Sequence, residues 1–266
     1  MKYHKTFLTL LVILMLTLRL TGLTAQDGRE IMEKSREAAK MHGLEAVSTL
    51  KIMDARGRER VRQTSMASKL FTNTNTEKRI IRFLSPADVK GTGMLIYDYE
   101  NENDDMWIYM PALRKTRRII STEKSRSFMG SEFSNADMSA PNPDDFIYNL
   151  VDTENVEGMA CWKVKVVPAD ENVLDEMGFD MKLVWISQED YVLRRAEYFD
   201  EDGELVKILS ASNVKLLDPA GKKYLATRME MENVQNGRKS VMIMDKVEFN
   251  PGIKDDYFTI DYLEGL

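Results

Sequence analysis

The chain has 266 residues, with 43 Asp and Glu against 37 Lys and Arg, for a formal net charge of −6. So acidic a chain lacks the broad cationic footprint that nucleic-acid phosphates demand, which excludes nucleic acid as a main partner. A single cysteine, Cys161, rules out an intramolecular disulfide, and with only His4 and His42 there is little material for a histidine base or a His-rich metal site.

The N-terminus reads as a processing segment. Lys2 and Lys5 form a positive start, Thr6 to Leu18 is apolar, and Leu23-Thr24-Ala25 ends in a small residue suited to signal-peptide cleavage. Arg19 limits the apolar run to about 13 residues, too short to cross a ~30 Å hydrocarbon layer as a helix. Residues 1–25 are therefore expected to be a cleaved export signal and 26–266 a single domain, an uncleaved anchor being the alternative. No cysteine lies near the cleavage site to carry a lipid anchor, which points to the periplasm. Cleavage removes Lys2, Lys5 and Arg19, taking the charge from −6 to about −9. Cys161, between Ala160 and Trp162, reads as a small buried hydrophobe.

Asp27 to Met41 is expected to be a helix, with Asp27 as cap, Glu30 in capping-box position and Gly43 beyond its end. From Leu44 the period changes to two. Strands are predicted at 44–54, 59–71, 78–84, 91–99, 106–110 and 116–120, separated by turns such as Asp54-Ala55-Arg56-Gly57. After a long loop, 121–145, the pattern resumes at 147–155 and 159–167. A short helical excursion is expected at 170–178, followed by strands at 181–187, 192–199, 204–216, 224–233 and 240–249. Tyr257 to Tyr262 reads as a short edge strand. A dozen or so strands joined by tight turns form an antiparallel sheet that must curl to hide its apolar face. The expected fold is mainly β: one barrel or half-barrel with an N-terminal helix.

Eighteen methionines are many for this length. Met66, Met94, Met106, Met110, Met181, Met229, Met231, Met242 and Met244 lie on or beside predicted strands, and the last four form two pairs spaced two apart, each pair on one side of the sheet. They fill gaps in an ordinary core, or they line a pliable apolar cavity. There is no Gly-rich phosphate loop, no Gly-x-Ser-x-Gly elbow, no His-Glu-x-x-His and no Cys-x-x-Cys. The pairs Asp104-Asp105, Asp144-Asp145 and Asp255-Asp256 read as solvated turns rather than calcium ligands. No catalytic residue, metal or cofactor is expected, and a carrier or binding module fits better than an enzyme.

The most distinctive stretch runs from Trp107 to Asp137. From Arg114 to Arg126 it holds Arg114, Lys115, Arg117, Arg118, Lys124 and Arg126 against the one acid Glu123. Its ordered string Trp107-Ile108-Tyr109-Met110-Pro111-Ala112-Leu113-Arg114-Lys115-x-Arg117-Arg118-Ile119 resembles the outer-membrane lipoprotein-sorting proteins, the LolA-like group of the LolA/LolB superfamily. So do Lys90-Gly91-Thr92-Gly93, Ser127-Phe128-x-Gly130-Ser131-Glu132-Phe133-Ser134 and Asp137.

The resemblance implies an incomplete antiparallel barrel whose open face is covered by helices or loops around a hydrophobic cavity. It also implies a periplasmic carrier of lipid or lipoprotein acyl chains, with an inner-membrane transporter or an outer-membrane acceptor as partner. On that reading Trp107, Tyr109, Phe128, Phe133, Trp185, Met94 and Met110 are candidates for the cavity or its mouth. Arg114, Arg117, Arg118 and Arg126 are candidates for head groups or an acidic partner, Arg being suited to bidentate phosphate contact. Internal ion pairs for those arginines, and plain core packing for those aromatics, stand as the alternatives. The competing function is a lipid-sensing or partner-binding regulatory module of the same fold.

Overall fold

The computed structural model describes residues 24–265 except 101, 141 and 251. Of the expected export signal, residues 1–23 lie outside the described residues, and its last two residues open the first helix. That helix, α1 (Thr24–Ala39), starts three residues before Asp27 and stops two before Met41. Asp27 therefore sits inside the first turn rather than at the cap. The bond from the Lys40 amide to the Arg36 carbonyl (3.1 Å) is its last, and Met41 leaves the helix and is buried.

Thirteen strands follow: β1 (Leu44–Met53), β2 (Glu59–Phe71), β3 (Thr76–Ser85), β4 (Gly93–Asp98), β5 (Asp105–Met110), β6 (Lys115–Arg118), β7 (Phe146–Val156), β8 (Met159–Pro168), β9 (Met181–Ser187), β10 (Leu193–Phe199), β11 (Leu205–Asp218), β12 (Lys223–Asn233) and β13 (Arg238–Phe249). They match the alternation in the sequence to within a residue or two. Short helices are α2 (Ser121–Lys124), α3 (Glu171–Met177) and α4 (Ile260–Glu264). In α3, the Asp170 carboxylate accepts from the Val173 amide (3.0 Å) and Gly178 closes the helix in the left-handed region (φ 71°).

All strands join one open antiparallel sheet in the order β6-β5-β4-β3-β2-β1-β13-β12-β11-β10-β9-β8-β7. Each half is a plain meander. The halves meet where β1 pairs with β13, Leu50 opposite Met242 and Ile52 opposite Ser240. The sheet is too long to stay flat, and register shifts at Val47/Ser48 in β1 and Gln63/Thr64 in β2 bend it near its centre.

Both faces of the first half are covered. Inward, Leu50, Ile81, Phe83, Met94, Ile96 and Met106 pack against Phe128, Phe133 and Met138 of the β6–β7 connection. Outward, Ala67, Ile80 and Leu95 pack beneath Ile253, Phe258 and Leu263 at the C-terminus. The C-terminal segment is helical, not the short strand its aromatics suggest: the Thr259 hydroxyl accepts from the Tyr262 amide (3.2 Å), capping α4. In the second half α1 supplies the cover, with Ile31 set against Phe146, Val164, Val184 and Ile186. Gly28 permits this approach, because a Cβ there would stand 2.8 Å from the Leu150 amide nitrogen.

The connection from β6 to β7 crosses the concave face and is pinned at three places. Its hairpin closes through the Phe128 amide to the Phe133 carbonyl (2.8 Å), and Asp137 accepts from the Ser134 amide (2.7 Å) and hydroxyl (2.9 Å). Arg62 donates to the Met129 carbonyl and Arg79 to the Met138 carbonyl. Asp98 accepts from the Ala140 amide (3.2 Å), and Asp104 lies against Asp98 and Ser139.

Burial pushes the Asp98 carboxyl well above the usual carboxylate range and outweighs the opposing charge of Arg79. Burial likewise lifts Asp104 to about 6 despite Lys124. Asp98 Oδ2 has no hydrogen-bond partner among the described groups, and a proton shared by the two carboxyls supplies one.

Two outcomes follow from this packing. Gly28→Ala forces α1 away from β7, at a cost of about 1–3 kcal/mol, read as a lower Tm and faster proteolysis within α1; an unchanged Tm would show that this contact is not tight. Between the ordinary carboxylate pKa and about 6, the folded chain keeps a proton that the unfolded chain has lost, so stability present in acid disappears as pH rises through about 6. Asp104→Asn should flatten that fall, which amounts to about 2–3 kcal/mol between pH 4 and pH 8, in urea titrations at a series of pH values. Equal slopes in both proteins would refute the coupling.

Candidate functional site

Inward-facing side chains at the junction of the two halves leave an apolar cavity of about 190 Å³. Strand alternation selects its walls: Leu44, Ser48 and Leu50 from β1; Thr64, Met66 and Ser68 from β2; Met229 from β12; and Met242 and Met244 from β13. Met229 and Met242 are cross-strand partners, and Met242 also faces Leu50. Met41 after α1, and Phe128 and Met138 from the crossing connection, close the top. Six methionines therefore meet here, and their unbranched thioethers offer contact without fixed shape or strong hydrogen bonds.

The polar groups gather toward one end. A second cavity of about 270 Å³ shares Ala39, Glu77 and Arg79 with the first and adds Arg36, Lys40, Asn75, Asp98 and Tyr148. Arg79 is held by Glu77 (2.8 Å) and stands 3.9 Å from Asp98. Burial works against its charge, but the two carboxylates outweigh that effect and raise its pKa. Lys40 donates to Asn75 (2.9 Å), and the Arg36 guanidinium has no hydrogen-bond or ion-pair partner among the described residues. The methionine cavity thus adjoins a vestibule at the C-terminal end of α1 that carries Arg36, Lys40 and Arg79.

Farther along the concave face lies a polar spot. Lys182 stands over the Phe179 ring (4.8 Å to its centre) and near that of Tyr198 (5.3 Å). Burial lowers the Lys182 pKa and raises that of Tyr198, with Asp137 as the charge each feels.

Of the seven residues expected to contact an acyl chain, Phe128 lines the cavity. Met94 and Phe133 are fully packed in the same inward cluster without facing the space. Met110 ends β5, half-buried. Trp107 and Tyr109 point to the other side of the sheet, since Met106 and Ile108 take the inward positions, and they pack with Tyr97 and the C-terminal segment. Trp185 likewise faces outward: its Nε1 donates to Glu154 (2.8 Å), and its ring lies between Lys163 and Arg195.

The expected head-group arginines lie away from the cavity. Arg117 pairs with Glu123 (2.5 Å) and holds that carboxyl below its usual range; Arg126 reaches the same Glu123 (3.4 Å), and Arg118 pairs with Asp105. Arg114 is exposed at a left-handed position (φ 47°) after Pro111–Leu113. The cations near the cavity and its vestibule include Arg36, Lys40, Arg62 and Arg79 instead. For Arg62 and Arg79 the sequence signal was alternation on β2 and β3, which places them on the faces of Met66 and Ile81.

With this geometry in hand, comparison with known proteins is informative. A family model described as that of an uncharacterized protein matches residues 75–265, and no curated protein matches the chain in sequence. A candidate outer membrane lipoprotein-sorting protein domain from Vibrio parahaemolyticus superposes with a TM-score of 0.82 at 27% identity, covering 90% of this chain and 99% of that one. A DUF1329 family protein from Desulfovibrio piger gives 0.82 at 28%, covering 90% and 98%. A LolA superfamily protein from Nitrosomonas europaea gives 0.67 at 21%, covering 91% and 100%, and shares the fold. The chain belongs to the family of that model, and it shares its half-barrel fold with the LolA superfamily protein.

Proposed function

We propose that the protein is a carrier that shelters acyl chains of lipid or lipoprotein in the methionine-lined cavity during passage through the periplasm toward the outer membrane. The observation that carries this reading is the mainly apolar space between the crossing connection and the sheet, with Glu77 and Arg79 at its vestibule end and Asp137 as the one other charged residue among its described walls. The Vibrio relative, described as a candidate lipoprotein-sorting domain, supports the same cargo class. An inner-membrane donor and an outer-membrane acceptor complete the scheme. The expected export signal at residues 1–25 supplies the route, and no helix among the described residues is long and apolar enough to cross a membrane.

The energetics suit a carrier. Each methylene taken out of water is favourable by about 0.8 kcal/mol, so about ten of them contribute ~8 kcal/mol before the costs of association. At about 190 Å³ the resting cavity is smaller than the ~300–1,000 Å³ of a typical ligand site. Loading therefore requires methionine side chains to swing aside, which their three rotatable bonds permit at little cost. Contacts of this soft kind also release cargo readily, since no directional bond has to break.

Mass spectrometry of native protein should reveal co-purified acyl chains. Met242→Trp, which fills the cavity from β13, should weaken binding of a fluorescent fatty acyl probe by at least about tenfold, equivalent to about 1.4 kcal/mol, while the protein stays folded. Undiminished probe binding in a folded Met242→Trp protein would remove the cavity from the mechanism. A ligand-free protein that holds a stable protein partner would replace the carrier with a partner-binding module.

A further inference from the structure

The concave face of β2 changes character along its length. From the cavity outward its inward positions read Ser68, Met66, Thr64, Arg62, Arg60. Arg60 stands opposite Ile52 of β1, and Ile52 opposite Ser240 of β13, so the transverse row at this end of the trough is Arg60–Ile52–Ser240. Arg238, two residues before Ser240, shares its face, and Arg58 joins from the β1–β2 turn. Together with Ile52 and Asp54 these three arginines surround a cleft of about 480 Å³, larger than the methionine cavity.

The crossing connection separates the two spaces. Its tip, Met129–Gly130, is held by Arg62 on the Met129 carbonyl and by Arg238 on the Gly130 carbonyl (3.1 Å).

The charges here do not balance. Arg58 is paired with Asp54 (2.6 Å) and Arg238 with the buried Glu132 (2.9 Å), so both guanidinium groups are held in place. Arg60 has no carboxylate partner among the described residues, and the one hydrogen-bonded partner of Arg62 is a carbonyl. The Arg62 pKa is lowered by burial and, after that, by the neighbouring charge of Arg60. Three arginines line the cleft against one lining carboxylate, Asp54, and although Asp88 acts favourably on Arg62, the surplus positive charge carries a repulsion that a bound anion relieves.

We propose that this cleft is a binding site for a phosphate group, with Arg60 as its principal ligand, Arg58 and Arg238 as preoriented flanks and Ile52 as its floor. The guanidinium fork matches phosphate oxygens in bidentate fashion, and two of the three forks are already fixed. The phosphate belongs to a phospholipid head group or to a free phosphate ester. The site stands apart from the acyl cavity and does not depend on the carrier reading.

The test has two arms on the full-length mature protein: calorimetric titration with inorganic phosphate, and flotation with phosphatidylcholine vesicles with and without phosphatidylglycerol. Binding in either arm, weakened by salt, is expected. Saturation by inorganic phosphate identifies a free phosphate ester as the source, and binding confined to phosphatidylglycerol vesicles identifies the lipid head group. Arg60 is exposed at the strand end, so Arg60→Glu should fold normally and bind about tenfold or more weakly, with Arg60→Lys between it and the wild type. Lys215→Glu, the same charge change at an exposed position of β11, should bind as the wild type does. The proposal is overturned by no binding in either arm, by an undiminished Arg60→Glu, or by an equal loss in Lys215→Glu.

Discussion

Pairing β1 with β13 is the constraint from which the rest of this structure follows. It joins two meanders at the middle of one sheet and leaves β6 and β7 as its opposite edges. The chain between those edges has one route that keeps its apolar side chains dry, and that route lies across the concave face. Residues 119–140 are therefore a cover, held where the curvature of the sheet leaves more room than the cover fills. Phe128, Phe133 and Met138 face inward and join the core, whereas Arg62 and Arg79 rise from the sheet to bind the cover's carbonyls.

A trough closed this way need not contain a cavity; large side chains would have filled it. At the junction of the halves, however, the inward positions hold Ser48, Thr64 and Ser68 beside methionines. These small side chains leave volume, and the methionines line it without specifying one packing. A core of leucine and isoleucine at these positions would be better ordered and more stable. The looseness sits where the two halves and the cover meet, beside the vestibule by α1.

Most of the fold was legible because strand alternation and turn residues are local signals. β2 and β9 match their expected bounds, and Asp54-Ala55-Arg56-Gly57 turns as expected, with Gly57 at φ 76°. The C-terminal segment was misread because Tyr257, Phe258 and Tyr262 have high β propensity, while Thr259 caps a helix that tertiary packing favours. The site was much less legible. Alternation tells which residues share a face but not which face is concave, and β3 to β5 are apolar on both sides because α4 and its neighbours cover the outside. Trp107 and Tyr109 thus carried the same signal as Met106 and Ile108, and the side chosen by aromatic size was the outer one. The basic run failed as a pointer for a related reason: Asp105 and Glu123 lie near it in space as well as in sequence, and they pair with three of its four arginines.

The arginines therefore divide into two populations with different physics. Those at the surface, such as Arg117 and Arg126, form exposed pairs that solvent and salt screen and that add little to stability. The inward ones stand where hydrocarbon would be cheaper, since a buried charge costs more than a well-packed apolar side chain unless fully compensated. They mark the two ends of the dry stretch. Arg79 lies opposite Ser68 at the vestibule end and Arg62 opposite Leu50 at the other. Along β2 those rows are six residues apart, or about 20 Å at ~3.3 Å per residue. Half of a ~30 Å bilayer interior, the depth one acyl chain spans, is about 15 Å. On the proposed carrier reading, the charged boundaries thus enclose a length comparable to a single acyl chain.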